Sequence, residues 1–168
     1  EKIPDEKILE ILQAYSQGLR RGDNVLKDSL LPVLGLLNSP PNIVYVPSDR
    51  CDEEGRADYY REENTIYYYL DYDSWQNPIP PQPILFDDDL FDHMNTIAHE
   101  MFHAHQAHGN NVDPELARLY EQNRLVYIRS RDNYKAYREQ IMEATAYAFG
   151  DNFEWAARVV YEFQKENK

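Results

Sequence analysis

The chain has 168 residues and a mass of 19.9 kDa, with 42% hydrophobic and 13% aromatic residues, which fits one folded domain and excludes an unfolded polar chain. Seventeen Lys and Arg against 30 Asp and Glu leave a formal charge of −13, which disfavours nucleic-acid backbones and anionic membrane surfaces as partners. The single cysteine, Cys51, excludes a disulfide framework and a thiolate metal cluster; with no membrane-length apolar run and no signal-like start, a cytoplasmic location is slightly favoured over secretion.

The first element expected is an amphipathic helix over residues 4–21, where Ile8, Leu12, Tyr15 and Leu19 recur at helical spacing and Pro4 suits a first turn. Residues 25–37 are apolar and read as helical or turn-like, interrupted by Pro32 and Gly35. Ile43-Val44-Tyr45-Val46, closed by Pro47, reads as a short strand. Two Tyr-rich runs, 57–61 and 65–72, flank a polar connector and read as a hairpin, with the tyrosines expected to pack the sheet. Residues 73–83, with Pro78, Pro80, Pro81 and Pro83, read as an irregular loop.

Helical character dominates from residue 90. Asp89 is the expected cap, Asp87–Asp89 suit a helix N-terminus, and Gly109-Asn110 marks the stop. Asp113-Pro114-Glu115 opens another helix, running to about Ser130. A final helix is expected over 133–165, its core stripe formed by Met142, Ala146, Phe149, Phe153, Ala156, Val160 and Phe163. Helices, then strands, then helices point to an α+β class. One domain over 1–168 is expected, with a helical part at about 1–40, a sheet at about 43–72 and catalytic helices at about 89–165.

The residues that carry chemistry are His99-Glu100-Met101-Phe102-His103, an HExxH. On a helix the two histidines lie about 40° apart and one turn up the same face, so their imidazoles can take two corners of a tetrahedral zinc site. Glu100 lies one step round, where its carboxylate can serve as general base to water on the metal. The helical projection places Leu90, Met94, Ile97, Ala98, Met101, Phe102 and Ala104 on one arc. His99 and His103 fall opposite, with Asp92, Asn95 and Gln106. His105 and His108 project onto the apolar arc and His93 lies nearly two turns below His99; these three read as structural or surface residues. A catalytic zinc site takes a third protein ligand and leaves one position for water. The final helix offers Glu143 at the edge of its apolar stripe, with Ala146 beside it to let two helix backbones approach.

HEMFH with a later Glu in an ExxA context resembles the gluzincin class of zinc metallopeptidases. IAHEMFHAHQ and IMEATAYAFG are similar to its minimal members, the minigluzincin-like peptidases that include small enzymes encoded near phage and mobile-element repressors. The resemblance, specific over 95–150, implies a small zincin-like domain with a short sheet, an active-site helix and a glutamate helix. It implies one zinc ion held by His99, His103 and Glu143, Glu100 as the base, and hydrolysis of peptide bonds in a peptide or protein substrate. It further implies a strand beside the cleft that binds extended peptide, for which 65–72 is the candidate, and an oxyanion donor, for which Tyr147 stands on the right side. Larger thermolysin-like relatives carry an Asp four positions after the glutamate ligand; here that position is Tyr147. The alternative reading is a zinc-stabilised interaction module with absent or latent peptidase activity.

Overall fold

Glycine 18 decides how the chain starts. The structure, a computed structural model, describes residues 3–47, 56–70 and 86–167. Helix α1 spans Asp5–Gln17 and α2 spans Leu19–Val33. Between them Gly18 adopts φ 156° and ψ 150°, a conformation that costs a residue without Cβ little. The chain therefore breaks there instead of continuing to residue 21, and α2 folds back on α1. Ile8, Ile11, Leu12 and Tyr15 of the first helix meet Leu26 and Leu30 of the second in the core.

Three strands follow: β1 (Asn42–Pro47), β2 (Ala57–Tyr60) and β3 (Thr65–Leu70). The expected hairpin is present: β2 and β3 are antiparallel, with Ala57 opposite Tyr68 and Tyr60 opposite Thr65. Strand β1 pairs with the other side of β3 in parallel, Asn42 opposite Thr65, giving the order β1-β3-β2. Strand β3 is thus the middle of the sheet. Both its edges are hydrogen-bonded, so it cannot receive a peptide by strand addition, and the expectation placed on 65–72 is corrected. Among the described residues, β2 is the edge strand that borders the cleft. Ile66 and Tyr68 of β3 turn into the core, following the two-residue alternation of a strand. The loop expected over 73–83, with Cys51, lies outside the described residues.

Helix α3 (Asp88–His108) carries the HExxH. Its cap is Asp87, whose side chain accepts from the Leu90 N–H at 3.0 Å, so Asp89 sits within the first turn. The helix stops at Gly109, as expected. Helix α4 (Pro114–Leu125) is capped by Asp113 and ends before the expected Ser130. The expected final helix is two: α5 (Tyr134–Glu139) and α6 (Ile141–Glu166). Gln140 between them is extended, at φ −66° and ψ 147°. Its side chain bonds Asn123, and both the N–H and the carbonyl of Ile128, holding the chain between α4 and α5 against the start of α6.

The described residues thus form an α+β arrangement of six helices and a three-stranded sheet. One contiguous core joins α1, α2, the sheet, α3 and α6. Ala146, Phe153 and Val160 of the expected α6 stripe are buried, but Phe163, near the helix end, is 67% exposed and does not belong to the core. A buried polar hub ties the front half to α3. Asp23 of α2 accepts hydroxyls from Tyr15 (2.5 Å) and Tyr45 (2.6 Å) and pairs with His93 Nε2 at 2.7 Å. His93 is therefore structural.

Candidate metal centre

Helix α3 supplies two imidazoles from one face, and α6 crosses it closely enough to bring a carboxylate between them. The crossing is tight at Gly150 of α6: a Cβ there would stand 2.9 Å from the Asn95 carbonyl of α3. Asn95 Nδ2 adds bonds of 2.9 Å to both Asp151 and Glu154, clamping the two helices at that point. Two turns earlier on α6, Glu143 is 2% exposed. Its Oε1 lies 3.1 Å from His99 Nε2, and its Oε2 lies 3.1 Å from His103 Nε2. The two imidazole Nε2 atoms are themselves 3.1 Å apart.

These separations fit a shared cation. Ligand atoms about 2.0–2.1 Å from zinc at tetrahedral angles stand about 3.3 Å from one another. Three donor atoms of the preferred zinc type, two neutral-capable nitrogens and a carboxylate oxygen, already span one face of such a tetrahedron. Glu100 is also at hand: a carboxylate oxygen lies within 4.8 Å of a ring nitrogen of each histidine. The four residues singled out from sequence are thus brought together. His105 instead bonds the Leu34 carbonyl at 2.9 Å, and His108 bonds the Arg61 carbonyl at 3.1 Å. Neither joins the cluster.

The charges follow from burial and from neighbours. Burial works against the Glu143 carboxylate, but bonds from the two histidines and from Tyr127 outweigh it and hold the group far below the usual carboxylate range. Burial likewise pulls His103 down; the bond to Glu143 and its negative charge prevail and carry the imidazole up to about 9. His99 moves the other way, since burial dominates and the neighbouring His103 disfavours a second cation. Glu100 is pushed up to about 8, chiefly by burial and also by the charge of Glu143, although a backbone bond from Tyr59 of β2 opposes this.

Two residues that sequence reasoning missed complete the carboxylate's surroundings. Tyr127, between α4 and α5, donates to Glu143 Oε2 at 2.6 Å, and Tyr137 of α5 donates to Oε1 at 3.2 Å. Neither belongs to a periodic pattern pointing at the site; the break at Gln140 lets α5 turn back over α6. Tyr147 stands beside the pair, its ring centroid 4.5 Å from that of His99 at 68°, with the Arg138 guanidinium carbon over the Tyr147 ring, 3.8 Å from its centroid.

The cluster opens into a cleft of about 770 Å³. Strand β2 forms one wall with Asp58, Tyr59 and Tyr60; α3 forms the floor; Tyr137, Arg138 and Tyr147 close the far side. The tyrosines expected to pack the sheet therefore divide: Tyr68 enters the core and Tyr59 packs against it at the cleft's border, while Tyr60, 46% exposed, lines the cleft. No family model, curated protein or solved structure matches this chain. No helix among the described residues is long and apolar enough to cross a membrane.

Proposed function

We propose that the chain is a zinc-dependent peptidase of the gluzincin type, with a zincin-like fold and one zinc ion held by His99, His103 and Glu143. The observation that carries the reading is the convergence of these three side chains to about one tetrahedral edge, 3.1 Å, on the floor of an open cleft, with Glu100 next to them. Zinc held there would supply a Lewis acid that polarises a carbonyl and acidifies water.

This chain's own residues do the rest. Glu100 takes a proton from the attacking water and returns it to the leaving amine. The edge strand β2 offers backbone partners for an extended peptide, in place of β3. Tyr147 faces the cleft beside His99 and is the candidate donor to the developing oxyanion. Tyr127 and Tyr137 fix the Glu143 carboxylate so that it does not rotate away from the histidines.

The test is Glu100→Gln in the zinc-loaded protein, assayed on a peptide library. The variant is expected to keep stoichiometric zinc and lose cleavage by several orders of magnitude. A variant that still cleaves removes Glu100 as the base. Stoichiometric zinc with no cleavage by the wild type would instead favour an interaction module.

A further inference from the structure

We infer that Gln106 is the positioning residue for His103. The inference rests on the zinc reading above and deepens it. The Tyr147 ring of α6 stands against His99, 4.5 Å between centroids, so the outer nitrogen of His103 takes its partner from elsewhere.

The hydrogen-bond network supplies one and fixes its sense. Gln106 sits three residues after His103 on α3, and its Oε1 lies 2.9 Å from His103 Nδ1. The orientation of the amide follows from its other contacts. Its Nε2 lies 2.9 Å from the Met142 carbonyl, which can only accept. Nε2 also lies 3.0 Å from Thr145 Oγ1, whose own proton is directed to the Ile141 carbonyl at 2.7 Å. Both contacts therefore require the NH2 group, and the oxygen must face the imidazole. An amide oxygen only accepts, so His103 Nδ1 must carry a proton. Nε2 is then the nitrogen free to present a lone pair, and it is the one facing Glu143 and His99. The NH2 bonds to the start of α6 fix how the amide is turned, and its oxygen in turn fixes the tautomer of His103.

The experiment compares Gln106→Met and Gln106→Glu with the wild type by zinc competition against a chelator, with melting curves to confirm folding. Methionine keeps the length and removes both functions; glutamate keeps the acceptor for Nδ1–H and loses the NH2 bonds to α6. Zinc affinity is expected to fall about ten- to a hundredfold in Gln106→Met and to stay near wild type in Gln106→Glu. The zinc-loaded wild type should also show a slowly exchanging His103 Nδ1 proton in nitrogen-15 spectra, absent from Gln106→Met. Equal affinities for Gln106→Met and wild type would overturn the assignment. So would an equal loss in both variants, which would make Gln106 a mere cross-link. A wild type that takes up no zinc would overturn the metal reading itself, and this assignment with it.

Discussion

His103 and Glu143 form an ion pair in the metal-free protein, and that pair is what a cation must displace. With its imidazole held up at about 9, His103 carries a proton on each nitrogen at neutral pH, while His99 is held neutral by burial. Metal can bind only after the Nε2 proton leaves, and Glu100, pushed up to about 8, loses its proton as positive charge arrives nearby. The sign is therefore definite: protons compete with zinc below about pH 8–9, affinity rises with pH through that range, and it flattens above. Zinc uptake at pH 7 should release about one to two protons, and fewer at pH 10. Calorimetry in buffers of different ionisation enthalpy reads this number directly; uptake with no proton release at pH 7 would contradict the charge states described.

The element that brings Glu143 to the two histidines is the crossing of α3 and α6. Gly150 allows the backbones to meet, and Asn95 clamps them on the same level. Gly150→Ala must push the Asn95 carbonyl away. It should destabilise the protein by about 1–3 kcal/mol and weaken zinc binding, because Glu143 rides on α6 two turns from the displaced contact. Unchanged melting and unchanged affinity would show that the crossing does not set the site. Much of this level was legible in the chain. The HExxH face and Glu143 are matters of helical period, and period is local. What was not legible depends on partners distant in sequence. Residues 133–165 are helix-forming throughout, so nothing local announces the break at Gln140; it arises from bonds to Asn123 and Ile128. The central place of β3 likewise follows from parallel pairing with β1, more than twenty residues away across a connector, rather than from its own composition. Gly18 was visible as a residue, but a helical stripe reads straight through one glycine.

At the scale of the molecule, the site is a floor between two supports. One support is α6, which carries Glu143; the other is the sheet, whose edge strand β2 walls the cleft and whose Tyr59 backbone reaches Glu100. Helices α1 and α2 lie behind, and the buried Asp23–His93 pair couples them to the helix that bears the motif. Asp23 was not singled out from sequence, because a lone acidic residue on an amphipathic helix normally faces solvent; here two tyrosines and a histidine meet it in the interior. Anomalous diffraction at the zinc edge, from crystals of the zinc-treated protein, tests the whole arrangement. The account predicts a single strong peak about 2.0–2.2 Å from His99 Nε2, His103 Nε2 and a Glu143 oxygen, facing the cleft; a peak elsewhere, or none at that cluster, would contradict it.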